Sequence, residues 1–297
     1  MNDLKCMIKR NIKVYFRDKS MFFTSLITPI ILLVLYTTFL GKVYKDSFIQ
    51  VLPKGIKLPS KLINGFVSGQ LVSSLLAVSC ITVAFTCNLL MVQDKVNGSI
   101  KDITIAPIKR FKIGMSYFIS TFISTIIVNL TVLIIGFAFI AFKGWYFNVT
   151  DVLLIFLDVV LITLFGSILS SVIDFFLKSQ GQISAVGSLV SAGYGFLCGA
   201  YMPISSFNSL LQKVISLLPG TYATSLIRNH FLGSIFREMS KLNLPSELIN
   251  ELKKRFDCTL EFFGHELSIP IMYIILIGSI LILTIIYLII NSKKKKH

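Results

Sequence analysis

Charged residues and tryptophan are scarce in this sequence. Of its 297 residues, 14% are Asp, Glu, Lys or Arg, and only one is Trp. Soluble domains carry roughly 25% charged residues, so too few polar side chains are present to cover a water-facing surface. Those that are present gather between long apolar runs. This pattern excludes an ordinary soluble protein and indicates one that is embedded largely in lipid.

Histidine and cysteine are also few, and they are scattered. No CxxC pair and no Cys/His cluster occurs, so the sequence predicts no metal site and no disulfide bond. The only cysteine in a segment predicted to be external has no partner there. We interpret the cysteines as small, buried apolar residues. The three histidines are His230, His265 and His297, and the five cysteines are Cys6, Cys80, Cys87, Cys198 and Cys258.

Motifs for nucleotide or hydrolytic chemistry are missing as well. The sequence holds no Gly-x-x-x-x-Gly-Lys-Ser/Thr loop, no HExxH and no GxSxG. Without the backbone amides and the lysine of a phosphate loop, a chain has no recognisable ATP site. We therefore predict that the chain is not an enzyme, that it holds no cofactor of its own, and that nucleic acid is not a partner.

Six apolar segments are long enough to cross a bilayer, whose core of about 30 Å requires about 20 helical residues. Only helices and closed barrels satisfy every backbone group in lipid, and no alternating strands are seen. The sequence thus predicts an all-α polytopic membrane protein with a six-span transmembrane domain over residues 21–292. The predicted spans are about 21–41, 66–92, 115–142, 152–177, 183–202 and 269–290.

Lysine and arginine residues predict the orientation. If both termini are cytoplasmic, the inside segments carry 16 basic residues and the outside segments 13. Charges close to the span ends count most in this rule, and residues 1–20 and the tail 293–297 are both short basic flanks. The basic loop 42–61 argues in the opposite direction. We predict a multi-pass protein of the bacterial plasma membrane with both termini in the cytoplasm.

Two segments outside the spans have amphipathic patterns. Residues 1–20 alternate apolar and basic positions at helical spacing, which predicts an interfacial helix with its cations near anionic headgroups; a simple basic anchor is the alternative. The external segment 203–268 begins with an apolar piece that is too short to span, and this predicts short re-entrant helices. The charged residues 237–266 follow as a water-exposed cap, with a helix start at Ser246.

Two features inside the spans have two interpretations each. Asp158 is the one acidic residue well inside a span, and it serves either a transport or proton pathway or a hydrogen bond between helices. Small residues of the fifth span, including Ser191 and Gly195, allow helices to approach closely. They form either internal packing, or a dimer seam or transport path.

Two stretches of the sequence carry recognisable motifs, one between spans two and three and the other between spans five and six. The motif residues of the first stretch are Asp94, Gly98, Ser99, Ile100, Ile103, Pro107, Ile108, Lys109 and Arg110. Those of the second are Gly199, Pro203, Leu211, Pro219 and Arg228. With these motifs the sequence resembles the permease subunits of type-2 ABC exporters, and together with the span order the resemblance extends over nearly the whole chain. The family's usual Arg-Glu before the glycine is replaced here by Asp94-Lys95.

The resemblance implies that ATP binding and the transport pathway belong to separate subunits. Two copies of a separate ABC ATPase would bind ATP and magnesium, and a second permease half, identical or related, would complete the pathway. The segment 94–112 would contain the coupling helix that docks on the ATPase. The cargo would be lipophilic or amphipathic, such as a drug, an antibiotic, a peptide or a lipid-like toxin, with polysaccharide or lipid export as an alternative.

Two other classes of protein are weighed against this one. An ion-coupled secondary transporter would use Asp158, although no internal repeat of the kind common in such carriers is found. A membrane-bound enzyme or lipid-handling scaffold would rest on the polar segment 237–266 alone.

Overall fold

The structure is a computed structural model that describes four stretches of the chain, residues 2–53, 58–105, 108–262 and 264–293. Almost all of these residues are helical, apart from connecting turns and one two-stranded hairpin. Two predicted features lie outside the described residues, namely Pro107 of the predicted coupling segment and residues 294–297 of the predicted basic tail.

Five helices in the described residues are long and apolar enough to cross a membrane. This confirms the all-α polytopic membrane class. Each helix continues past at least one end of its predicted span. The five are the continuous helical stretch Met21–Val51, α4 (Ser60–Val96), α6 (Arg110–Lys143), α7 (Val149–Phe175) and α12 (Ile269–Lys293).

The helix at the predicted fifth span, α8 (Gln180–Leu197), is not one of these five. It has 18 residues and contains glutamines, serines and glycines among its apolar positions. It packs mainly against α4. The sixth span thus stays a prediction, because α8 is shorter and more polar than the helices that meet the requirement.

The first spanning stretch contains a feature that the sequence pattern did not indicate. Between α2 (Lys19–Leu35) and α3 (Gly41–Val51), one turn, Tyr36–Leu40, is a π-helix. The hydroxyls of two threonines in this turn bond to carbonyls in the turn before it, which is an arrangement that loosens the regular helical ladder. The wider turn changes which face of α3 is directed to the core. On that face the side chains of Tyr44 and Phe48 are buried.

Helix α4 forms the centre of the bundle. Its most apolar stretch is 89% buried, whereas that of α12 is only 17% buried. Helices α2, α6, α7, α8 and the later α10 (Pro219–Lys241) all pack against it. At Gly166 of α7 a Cβ atom would lie 2.7 Å from the carbonyl oxygen of Cys80, so only glycine allows these two helices to approach this closely.

Buried polar side chains join α4, α6 and α7 at two levels. At one level the Ser79 hydroxyl donates to Asn129 (2.8 Å), and the Asn129 amide donates to the Thr163 hydroxyl (3.2 Å). At the other level the Asn88 amide donates to a carboxylate oxygen of Asp174 (2.9 Å). Because such groups are costly to bury without partners, these contacts fix the register of the three helices.

The segment between α8 and α12 contains α9 (Ser209–Ser216), α10, α11 (Ser246–Arg255) and a short hairpin, β1 (Glu261–Phe262) and β2 (His265–Glu266). Helix α10 is buried along most of its length and continues beyond the start of the predicted charged cap at 237. The start of α11 at Ser246 confirms that helix start. The re-entrant placement of α9 and α10 in a membrane stays a prediction.

Candidate functional site

A short helix lies at the end of α4. After Val96 the chain reverses at Gly98, whose φ of +80° lies in the left-handed region that favours glycine. Apart from its chain neighbours, no atom of the described residues lies within 4 Å of the position that a Cβ would take there. The backbone angle, and not crowding, therefore favours glycine. Helix α5 (Ser99–Ile105) follows, and α6 begins at Arg110.

The side chains of α5 and the residues that follow it divide into an inner and an outer set. Ile103 and Ile108 are half-buried and pack against a cluster formed by α1 (Asn2–Arg17), α2, α4 and α6. Ile105 is 82% exposed. Ser99 and Ile100 are half-buried, whereas Lys101, Asp102, Lys109 and Arg110 are exposed. The outer set is a small surface of apolar and charged side chains, and the sequence patterns did not single out its residues Lys101, Asp102 and Ile105.

Asp94 joins α4 to two neighbouring helices. Its carboxylate is buried and pairs with Arg10 of α1, whose Nη2 donates to Oδ1 at 3.1 Å. The Tyr117 hydroxyl of α6 donates to Oδ2 at 2.6 Å. The hydrogen bond to Asp94 raises the pKa of Arg10 above its ordinary value. Asp94 thus makes an ion pair, and its partner comes from the N-terminal helix.

Lys95, the next residue, reaches a third helix. Its ammonium donates to the carbonyl oxygens of Asp174 (3.1 Å) and Phe175 (2.9 Å), and it lies 5.2 Å from the centre of the Phe175 ring. These carbonyls are at the C-terminal end of α7, where a helix presents unpaired acceptors and partial negative charge. The end of α4 is therefore fastened to α7 as well as to α1 and α6.

An exposed ion pair adds to this arrangement. The Lys112 ammonium of α6 lies 3.0 Å from a carboxylate oxygen of Asp3 in α1, and its hydrogen bond lowers the pKa of Asp3. A force on α5 consequently acts on the C-terminal end of α4, which is bonded to α1, α6 and α7.

The second set of predicted residues lies at the other end of α4. Gly199 has a φ of +71° and turns the chain after α8. Pro203 follows in this turn, Leu211 is half-buried on α9, and Pro219 is the first residue of α10, a position that suits proline. Only Gly199 of these contacts Arg228 through a hydrogen bond.

Arg228 on α10 is fully buried and connects four segments. Its Nη1 donates to the Asp257 carboxylate (3.1 Å) and to the Phe256 carbonyl (3.2 Å). Its Nη2 donates to the Gly199 carbonyl (2.9 Å) and to the Ser74 hydroxyl (3.1 Å) of α4. The planar guanidinium suits such a multiple arrangement, and it holds α4, α10, the turn after α8 and the segment after α11 together.

Asp257 completes this network, although the sequence patterns did not identify it. Both of its carboxylate oxygens accept from the Ile204 amide, at 3.2 and 3.0 Å. Burial raises the pKa of Asp257 to about 6, against the opposing effect of Arg228. At neutral pH the carboxylate is thus ionised and forms a salt bridge. The only signal for Asp257 in the sequence was Arg228, which lies within an apolar pattern. A buried arginine requires an acidic partner.

Asp158, the predicted pathway or packing residue, has two partners. His230 Nδ1 of α10 and the Tyr273 hydroxyl of α12 each lie 2.5 Å from one of its carboxylate oxygens. A second pair lies nearby on the same two helices. Asp151, seven residues before Asp158 on α7, pairs with Arg237, seven residues after His230 on α10. Asp151 and Asp158 of α7 thus face Arg237 and His230 of α10, which runs antiparallel to α7.

The two small residues predicted with Asp158 lie elsewhere, on α8. The Ser191 carbonyl accepts from the Tyr201 hydroxyl at 3.3 Å, and Gly195 is buried beside the Tyr201 ring. Within the described residues, no group of three or more His, Cys, Asp or Glu side chains is arranged to hold a metal ion. The five cysteines are free thiols.

A bundle of long apolar helices, with a short, partly exposed helix at one end and a buried arginine network at the other, is the structure of a multi-pass membrane protein. The family model described as ABC-2 type transporter matches residues 2–232. The chain therefore belongs to the ABC-2 type transporter family and is a permease of that family. The match includes α5 and Arg228 and ends within α10. A comparison with curated proteins gave no significant match.

Proposed function

We propose that the chain is the permease subunit of an ATP-driven exporter that moves a lipophilic or amphipathic cargo out of a bacterial cell. The observation that supports this most is α5, a short helix that presents Ile105 to solvent at the end of the most deeply buried helix in the bundle. Single exposed apolar residues are common on protein surfaces; Ile105 supports the proposal because it lies in the segment 94–112, where the resemblance places the coupling helix.

The partner that we propose for this surface is a separate ABC ATPase, one copy for each permease half. ATP and magnesium would be bound entirely by that ATPase. Its closure would push on α5, and the contacts of Asp94 and Lys95 would carry the displacement into α1, α6 and α7. ATP can favour one state of the permease only if the contacts differ in free energy between the states.

The second permease half that we propose, an identical or related chain, would meet this one along α8. This helix exposes small side chains and has open space beside its glycines at 181, 187 and 193. In lipid, surfaces of small residues allow two helices to approach closely. The exposed serines of α8 are Ser184, Ser188 and Ser191. Both termini would lie in the cytoplasm, on the same side as α5.

The proposed function is tested by purifying the tagged chain from its native membrane and reconstituting it in vesicles. We expect a soluble ATPase to be recovered with it, and cargo efflux to require both that ATPase and ATP. The cargo assay compares lipophilic dyes, peptides and lipid-like compounds in cells with and without the two proteins. Complete vectorial transport by the chain alone, with no ATPase present, would contradict the proposal.

A second candidate function, ion-coupled transport, draws on Asp158 and its contact with His230. We expect Asp158→Asn to lower the free energy of unfolding by about 1–3 kcal/mol, because one hydrogen bond in the buried cluster is lost. ATP-dependent transport by the folded fraction should change less than about threefold. The measurement is efflux from vesicles with and without a proton gradient. Abolished transport in a folded variant, together with gradient dependence in the native chain, would favour the ion-coupled carrier instead.

A further inference from the structure

A cavity of about 420 Å³ lies at the end of the bundle opposite α5. It is enclosed by α3, by the turn that follows α8 and by the end of α11. The Phe256 ring in its wall packs 4.8 Å from the Phe66 ring near the start of α4. At 1.5 Å per residue, Phe66 is about 40 Å along α4 from Asp94. The cavity is thus remote from the proposed docking surface.

The walls of the cavity are formed by apolar and aromatic side chains together with a few polar groups from each of the three segments. Tyr44 and Phe256 are buried, and Tyr201 is half-buried. A volume of this size, with apolar walls and few polar groups, is typical of sites for small organic ligands. The other apolar lining residues are Leu40, Val43, Met202 and Pro203, and the polar ones are Ser47, Ser205, Ser206 and Arg255.

Features of the fold hold these walls in place. The π-helical turn ends at Leu40, directly before the helix that carries Tyr44. The Tyr44 hydroxyl donates to the Tyr201 carbonyl at 3.4 Å, and the left-handed turn at Gly199 directs the chain towards Tyr201. A site with fixed walls binds a ligand with little loss of conformational freedom, so this cavity is preorganised.

One cation at the cavity is not neutralised by the chain. Helix α11 ends in three consecutive cations. Lys254 pairs with Glu261 and Glu266, and Lys253 lies 5.6 Å from the Phe236 ring. Arg255 is exposed and makes no ion pair in the part of the chain that the structure describes. A guanidinium beside an apolar cavity is suited to a carboxylate or a phosphate.

We propose that this cavity binds a single-chain amphiphile with a carboxylate or phosphate headgroup. The apolar chain would lie against Tyr44, Tyr201 and Phe256, and the anionic head would bind Arg255. The serine hydroxyls of the cavity would donate further hydrogen bonds to the head. This site does not depend on the ATPase, and it exists whatever cargo the transporter moves.

The test uses the full-length chain in nanodiscs of phosphatidylcholine and two fluorescent probes, 11-(dansylamino)undecanoic acid and its uncharged methyl ester. We expect saturable binding of the acid. Arg255→Gln should weaken the acid roughly tenfold, the effect of one charge-assisted hydrogen bond, and change ester binding less than twofold. Lys213→Gln, which removes an exposed cation of α9 outside the cavity, is the matched control and should change neither.

A second variant tests the cavity itself. Ser206→Trp places a large side chain at its exposed edge and should abolish the binding of both probes, while the elution profile of the protein stays unchanged. Nanodiscs that contain lysophosphatidylglycerol, a single-chain lipid with a phosphate headgroup, identify the natural source of the headgroup. Displacement of the acid indicates a membrane lipid, and undisturbed binding indicates a soluble amphiphile. Unchanged acid affinity in Arg255→Gln, or unchanged binding in Ser206→Trp, would overturn the proposal.

Discussion

Replacing Ile105 with glutamate is expected to abolish recovery of the ATPase with the permease, while the permease itself still folds. The side chain is 82% exposed, so the change costs little within the chain. In a covered apolar interface the new carboxylate would lose its hydration without a partner, which costs several kcal/mol. Binding should weaken at least about a hundredfold. The measurement is the amount of ATPase retained on the tagged permease and the ATP-dependent efflux of the reconstituted pair.

Two further substitutions on α5 give this experiment its controls. Ile105→Val keeps the apolar surface and should retain the ATPase. Ile103→Glu places a charge in the half-buried contact with the inner cluster, so it should lower the thermal stability of the permease itself. Full ATPase recovery with the Ile105→Glu protein would show that the docking surface lies elsewhere.

Removing the Arg228 side chain is expected to produce the largest loss of stability of any single change in the chain. Arg228→Ala leaves the ionised Asp257 buried without its counter-charge and leaves the Gly199 carbonyl without a donor. Breaking one partner out of a buried pair costs about 3–5 kcal/mol. We expect this variant to be recovered in much smaller amount and to denature at a lower temperature in detergent. Lys241→Ala, which removes an exposed surface pair, should cost at most about 1 kcal/mol.

The pH dependence of Arg228→Ala provides an independent check. The pKa of Asp257 is about 6 in the native fold, above its value of about 3.9 in an unfolded chain. A raised carboxyl pKa stabilises the fold fully below the unfolded value, and this stability is lost as pH rises through the folded value. Without Arg228 the pKa rises further, so the loss extends to higher pH. The stability difference between native and variant chains should be smaller at pH 5 than at pH 8.

A double substitution separates the charge from the packing. Arg228→Met combined with Asp257→Leu removes both charges and fills similar volumes. Such replacements of buried pairs are often neutral, so we expect the double variant to regain part of the lost stability. A double variant that is as unstable as Arg228→Ala would show that the hydrogen bonds to Gly199 and Ser74 matter more than the charge pair.

The apolar runs predicted the long helices well, because a membrane span requires about 20 apolar residues and this requirement is visible in composition alone. Burial was not predictable in the same way. Helices α4 and α12 are both apolar, yet only α4 lies at the centre. In lipid the hydrophobic pattern does not distinguish a core face from a lipid face, and small residues such as Gly166 decide the packing instead. The π-helical turn left no signal in the sequence, since it depends on hydrogen bonds at the backbone.

Among the candidate site residues, the resemblance singled out two glycines whose residue type constrains the backbone. Gly98 and Gly199 both adopt positive φ angles, as a glycine at a turn indicates. The partners of charged residues were not predicted, because Arg10 and Asp94 or Arg228 and Asp257 lie far apart in the chain. Ile105 was missed because exposure depends on how α5 is seated, and apolar spacing does not reveal it.

The length of α4 has one more consequence. Its 37 residues contain no proline and extend for about 55 Å, more than the thickness of a bilayer core. If the proposed ATPase docks on α5, α4 would connect that surface to the proposed amphiphile cavity as one continuous helix. A tilt of only about 5° at the end that carries Asp94 would displace the far end, beside the amphiphile cavity and the Arg228 network, by about 5 Å over that length. Through this one helix, a small displacement at the proposed docking surface would change the position of residues near the opposite face of the membrane.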